Sequence, residues 1–351
     1  LSGEELMHAG GFMLIGFITN TIIGCISYLV LKNFAKLRQI DAATVAGYYG
    51  SDSAGTFVTC KGVLDGKKGL DPSYNYAAYM PVMLAVMEIP GCLVALMIVS
   101  SLRKKGMDPR GNMPGEPGYD PRPLPDSLAE EVGHGADHGG HGGGHSSGRH
   151  GATETNGEKR FNSFISLELL HEVFLNPGLF LLFGGIIIGF VSQLQGSKVT
   201  QEDDKLFVQL FQGALCLFLL EMGMTACKRL RDLKTAGWRF VFFALVGPNI
   251  FATIGMFVAH GYGMLLGHQF DIGTYVLFAV LCGAASYIAV PAVQRLAIPE
   301  ASPTLPLAAS LGVTFSYNVT MGIPVYIEIA KQITNLLPIA GHVVETVAPL
   351  T

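Results

Sequence analysis

Eight apolar runs, each close to the length of about 20 residues that an α-helix needs to cross a bilayer, constrain this chain more than any other feature. They lie at 10–31, 42–60, 76–102, 177–194, 206–227, 238–260, 272–291 and 305–333. In hydrocarbon only helices and closed barrels satisfy their own backbone, and runs of this length and uniform apolarity predict helices. Charged residues make up 14% of the 351 residues, well below the level of about 25% usual in soluble domains. The net charge of −4 leaves no basic footprint for nucleic acid. Cys25, Cys60, Cys92, Cys216, Cys227 and Cys282 lie in or beside apolar runs without a CxxC pair, and read as small packing residues.

Between the third and fourth runs the composition changes. Residues 103–165 are rich in Gly, Pro, His and charge, and predict a disordered linker. It divides the chain into 1–102 and 166–351. Lys and Arg counts orient the spans. Lys32, Lys36, Arg38, the linker, Lys228, Arg229, Arg231, Lys234, Arg239 and Arg295 fall on one side. Only Lys61, Lys67, Lys68, Lys198 and Lys205 fall on the other. The linker is therefore expected in the cytoplasm and the C-terminus outside, in a multi-pass protein of the plasma or inner membrane.

The two parts echo each other. "GYYGSDSAGTF" answers "LCGAASYIAV", with Gly50 opposite Gly283 and Ser53 opposite Ser286. "MEIPG" then follows the first and "MGIPV" the second at separations that agree within one residue. The first three spans therefore correspond to the last three, in opposite orientation. Two further spans precede the last three and have no counterpart before residue 1. The pattern predicts inverted five-helix repeats with eight of ten helices in this sequence, and about 50–70 residues missing ahead of Leu1. Such repeats are typical of secondary transporters, whose sites lie where paired helices are interrupted at mid-membrane. The second and seventh spans, with "GSDSAG" and "CGAAS" followed by Pro291, are the interrupted candidates.

Few residues inside the spans can carry chemistry. Asp52, Glu88, Glu221 and Glu328 are the intramembrane carboxylates, with no Lys or Arg at mid-span to neutralise them. An unpaired carboxylate costs about 2.5–3.5 kcal/mol at a helix centre, and a cation held by hard oxygens would offset that. Ser51, Ser53, Thr56 and Ser286 add hydroxyls, and Thr314, Asn318 and Thr320 lie in the last span. "NVT" at Asn318 matches a glycosylation pattern, but its place within a span argues against that use. Gly185–x–x–x–Gly189 and Gly263–x–x–x–Gly267 predict close helix contacts, and Arg295 is a candidate cap or gate. His134, His138, His141, His145 and His150 could hold zinc or nickel weakly. A divalent-metal transporter is thus an alternative, although it would need His ligands inside the membrane. No P-loop, G-x-S-x-G or H-E-x-x-H is present, so no enzyme is expected. A non-transporting receptor or scaffold built on the same spans is the other alternative.

"DAATVAGYYGSDSAGTFVT", "MLAVMEIPG", "LLEMGMTACKRLRDL", "GAASYIAVPAVQRLAIPEASP" and "SLGVTFSYNVTMGIPVY" together resemble the sodium-dependent bicarbonate transporter family of SbtA-like permeases. The resemblance covers nearly the whole chain except the linker. It implies an all-α membrane fold similar to bile-acid symporters and sodium/proton antiporters. The first and last three spans would form a core, and 177–194 with 206–227 half of a gate. It further implies sodium-coupled uptake of bicarbonate or a similar small anion, a homotrimer, a PII-like cytoplasmic regulator, and no cofactor other than sodium as coupling ion. Substrate residues would be Gly50, Ser51, Ser53, Thr56, Ala285, Ser286 and Tyr287, and sodium residues Asp52, Glu88, Asn318 and Thr314. One departure stands out. Family members carry Ser-Ser-Ser-Asp where this chain has Ala284, Ala285, Ser286 and Tyr287, while Asp52 occupies the other half-site, which is uncharged in those members.

Overall fold

A computed structural model describes residues 3–123, 177–229 and 237–339. All regular structure among the described residues is helical. In the first part α1 (Gly3–Asn33), α2 (Gln39–Tyr49), α3 (Ala54–Lys68), α4 (Met80–Met87) and α5 (Ile89–Lys104) follow in order. After the linker come α6 (Pro177–Gln195), α7 (Ser197–Asp204), a π-helical turn (Lys205–Gln209) and α8 (Leu210–Arg229). The chain ends in α9 (Trp238–Leu266), α10 (Ile272–Gly283), α11 (Ala289–Ala297) and one continuous helical run, α12. That run starts at Leu305–Leu307, passes through π-helical Ala308–Phe315 and Asn318–Gly322, and finishes as Ile323–Leu336. Three described stretches are long and apolar enough to cross a membrane: Met7–Asn33, Met80–Lys104 and Trp238–Leu266.

The predicted spans at 42–60 and 272–291 are each two helices separated by a non-helical break. Gly50 closes α2 with its N–H on the Ala46 carbonyl (2.8 Å). Ser53 then takes an extended conformation and caps α3, its hydroxyl accepting from the Thr56 N–H (3.3 Å). Such a cap satisfies one of the four N–H groups that a helix start leaves free. In the second pair, α10 ends when Ala284 turns extended. The chain re-enters helix at Ala289, with Pro291 in the first turn, where a missing N–H does no harm. The span at 76–102 is kinked at Glu88, between α4 and α5, where Pro90 removes a ladder donor.

Glycine backbones fit these pieces together. A Cβ on Gly50 would stand 2.8 Å from Gly24 Cα and 2.9 Å from Gly91 Cα. On Gly91 it would collide with the Gly47 carbonyl and the Ser51 nitrogen. α1, α2 and α5 therefore touch backbone to backbone just below the first break. In Gly263–x–x–x–Gly267 the first glycine makes a close approach, a Cβ there standing 2.8 Å from the His268 carbonyl oxygen and 3.2 Å from Ile339. Gly267 is the left-handed C-cap of α9 (φ 63°), with open space beside it. Gly185 and Gly189 also face open space among the described residues.

Part of the expected linker is ordered. Lys104 still belongs to α5, and 105–123 form hydrogen-bonded turns. The Asp108 carboxylate accepts from the backbone N–H groups of Asn112 (2.7 Å), Asp120 (2.8 Å) and Arg110 (2.9 Å). Arg38 forks onto Asp41 (2.7 and 3.1 Å) and reaches the Arg110 carbonyl and the Asn112 side chain (both 3.2 Å). Glu116 accepts from the Gln39 N–H (2.9 Å), Arg103 pairs with Glu300 (2.8 Å), and Asp41 accepts from the Ser302 N–H (2.9 Å). This clasp ties the α1–α2 loop, the end of α5 and the α11–α12 loop together. Long-range hydrogen bonds from Arg38 and Gln39 and local side-chain turns order a segment whose composition alone reads as disorder. The rest of the expected linker, 124–165, lies outside the described residues.

Candidate functional site

The two breaks meet. The Ser286 N–H, in the second break, donates to the Tyr48 carbonyl (2.8 Å) and the Ser51 carbonyl (3.2 Å) beside the first. Tyr48 lies in the last turn of α2, where carbonyls lack intrahelical partners, so each break completes the other's backbone. Tyr287 extends the contact. Its hydroxyl lies against Gly55 and beside Ser53. Gly50, Ser51, Asp52, Ser53, Thr56, Ala285, Ser286 and Tyr287 are thereby gathered at one buried crossing. The N-termini of α3 and α11, the positive ends of their dipoles, start at this crossing.

The first break is polar, and Ser51 and Asp52 in it have no side-chain hydrogen-bond partner. Asp52 is 0% exposed, and neither carboxylate oxygen has a hydrogen-bond partner. The Ser51 hydroxyl is equally buried and equally without a partner. Buried polar groups are nearly always paired, and a bare buried carboxylate is the costliest exception. Glu88, at the α4–α5 kink, is within electrostatic reach of Asp52, as is Cys282 at the end of α10. No Arg or Lys side chain comes from the crossing segments to neutralise the pair.

The second break is braced by protein. Asn318 donates its amide to the Gly283 carbonyl (3.1 Å) and accepts from the Tyr326 hydroxyl (2.7 Å). Asn20, on α1, donates to the Leu281 carbonyl (3.3 Å) and to the Met87 carbonyl at the kink (3.0 Å). These are the last carbonyls of α10 and α4, which have lost their helical partners. Thr314 acts in the same way on α9. Its hydroxyl donates to the Ala244 carbonyl (2.7 Å), the acceptor left free because Pro248, four residues on, has no N–H. Thr314 also shares a hydrogen bond with the Tyr49 hydroxyl (2.7 Å). Asn318 and Thr314, expected as ion ligands, thus lie close to the crossing with their polar atoms already engaged.

The remaining candidates lie elsewhere. Glu221, Glu328 and Arg295 are exposed on α8, α12 and α11 and do not face the crossing. His134, His138, His141, His145 and His150 lie outside the described residues. Among the described residues no cluster of three or more His, Cys, Asp or Glu could hold a metal.

Asn20 escaped the sequence reading. It is 0% exposed, and its Oδ1 has no partner. A single amide in the apolar run "GFITNTIIG" was the available signal. Through its bonds to Met87 and Leu281 it stands between the kink and the end of α10, the same two elements that adjoin Asp52. The crossing therefore collects acceptor oxygens from Asp52, Ser51 and Asn20 with a second carboxylate nearby. That donor set suits a dehydrated cation with a preference for hard oxygen ligands. The two helix N-termini beside it suit a small anion.

The family model described as the Na+-dependent bicarbonate transporter superfamily matches residues 1–331. No curated protein matches the chain.

Proposed function

From the chain's membership of the Na+-dependent bicarbonate transporter superfamily, a multi-pass membrane transporter family, we propose a sodium-coupled secondary transporter that imports bicarbonate or a similar small anion by alternating access. The observation that carries this reading is the buried Asp52 carboxylate, both oxygens free, at the crossing of two interrupted helices. Sodium binds first, on Asp52 with Ser51 and Asn20, and Glu88 adds negative potential from the kink. The anion follows at the N-termini of α3 and α11, near Ser53 and Ser286. Sodium makes this second step possible, since without it the anion would face an uncompensated carboxylate in a low dielectric. Asn318 and Thr314 act as braces that hold the breaks open.

The paired breaks and the shared Gly–Ser pattern support inverted repeats, with α1–α5 and α9–α12 as the core. The clasp of 105–123 lies at the end of the core that carries Arg38, Arg103, Lys104 and Lys105, and that excess of positive charge supports a cytoplasmic position for it. Uptake of labelled bicarbonate into liposomes holding the full-length protein, with sodium or with choline outside, tests the reading. Uptake that requires sodium supports it; uptake equal in both salts, or none, rejects it.

A further inference from the structure

A second group of unpartnered polar side chains lies one helical turn from the crossing, toward the arginine-rich end. Gln294, on α11, is 4% exposed, and neither its amide nitrogen nor its amide oxygen has a partner. Its amide lies against Gly47, where a Cβ would displace it. Gly47 is one turn before Gly50 in α2. On α1, which runs antiparallel to α2 across a short loop, Gly24 touches Gly50. Ser27, one turn beyond Gly24, therefore meets α2 at the depth of Gly47. Its hydroxyl is 0% exposed and also without a partner. Ser310 has the same character. It lies one turn before Thr314, whose hydroxyl reaches Tyr49, so it adjoins α2 on the face away from Gly47. α2 thus passes through a second polar level, made of neutral oxygens, between Asp52 and the clasp.

Two buried polar side chains without partners close to Gly47 are hard to account for by packing, since each unmade hydrogen bond is unfavourable. Resting on the transport reading above, we propose that Gln294 and Ser27 form a relay site for the dehydrated alkali cation on its way from Asp52 to the cytoplasm. The chemistry fits a stop on a route better than a storage site. An amide oxygen and hydroxyls replace part of a hydration shell, but without a carboxylate they hold a cation weakly enough to release it. Gly47 makes room for this group because it puts no side chain where the Gln294 amide lies.

The test compares Gln294→Leu, which keeps the volume and removes the oxygen, with Gln294→Glu, which adds charge at the same reach. Hydrogen exchange of full-length protein is measured with and without sodium chloride, choline chloride being the control. Sodium is expected to slow exchange at 289–297 at least fivefold in the wild type and not in Gln294→Leu, with protection at 50–56 kept in both. In liposomes, Gln294→Glu is expected to make internal sodium inhibit uptake at a concentration at least fivefold lower. Exchange at 289–297 that ignores sodium, or is protected equally in Gln294→Leu, overturns the relay. That result leaves sodium-driven uptake by the wild type intact. Loss of sodium-driven uptake in the wild type rejects the transport reading instead, and sodium-dependent protection lost in Gln294→Leu would still support a cation at this level.

Discussion

The two breaks that cross at the centre of the molecule begin from similar sequence and end in opposite states. At 50–53 the chain leaves a carboxylate and a hydroxyl buried without protein partners. At 284–288 it carries no carboxylate and leaves the Tyr287 hydroxyl as its one unpartnered buried side-chain atom, and amides from Asn20 and Asn318 reach in to satisfy the freed carbonyls. Interrupting a helix in a membrane frees backbone groups in either case. The second break meets that demand from within the protein, and the first leaves acceptor capacity for something that is not protein. On the proposed reading the two breaks divide the labour, the first binding and the second framing.

Substitutions that erase this difference should be the most damaging. Asp52→Asn is expected to lower sodium-driven uptake at least a hundredfold while Ser286→Ala retains more than a tenth of wild-type rate; initial rates in liposomes decide this. Similar losses in the two variants would make the half-sites equivalent. Gly91→Ala should cost about 1–3 kcal/mol by overpacking, because its methyl would strike the backbone of Gly47 and Ser51. A lowered melting temperature in detergent is the readout, and an unchanged one would mean that α5 can step back from the break.

The asparagines sharpen the comparison. Asn20→Ala removes both a brace and a free oxygen at the crossing, so it should raise the sodium KM about tenfold, equivalent to about 1.4 kcal/mol. Asn318→Ala removes only a brace and should destabilise by about 1–3 kcal/mol with a sodium KM within twofold of wild type. If the two variants shift KM alike, the distinction between ligand and brace fails.

The smallest effect belongs to the clasp. Burial pushes the Asp108 carboxyl up. Hydrogen bonds from the Asp120 and Asn112 backbone, the Asn112 side chain and the Arg110 backbone outweigh this and hold it below the usual carboxylate range. A carboxyl depressed in the folded state contributes stability above its unfolded value of about 3.9 and loses that contribution as pH falls through the folded value. Hydrogen exchange at 105–123 should therefore be unchanged from about pH 7 to about pH 5 after correction for intrinsic rates, and accelerate below about pH 4. Protection that persists at about pH 2 would remove Asp108 from this role.

Much of the plan could be read from residues alone. Gly50, Ser53 and Pro291 mark the breaks because each either frees the backbone or ends a helix for a local reason. Asp52 is legible because a carboxylate in an apolar run needs an explanation wherever it lies. The clasp was not legible, since Gly, Pro and charge signal disorder unless the partners are known, and here they are Arg38 and Glu300, distant in sequence. Asn20 and Gln294 were missed for a related reason. A single amide in an apolar helix is ordinarily satisfied by a neighbour, and only the fold shows which amide atoms have none. Thr314 and Asn318 were expected as ion ligands, and sequence alone cannot reveal that their polar atoms meet carbonyls freed by Pro248 and by the end of α10.

Sodium binding to purified full-length protein, measured by isothermal titration in choline-balanced buffer, tests the central claim most directly. Wild type and Ser286→Ala should bind sodium with affinities within threefold of one another, and Asp52→Asn should show no binding heat. Sodium binding by Asp52→Asn at wild-type affinity would contradict the account.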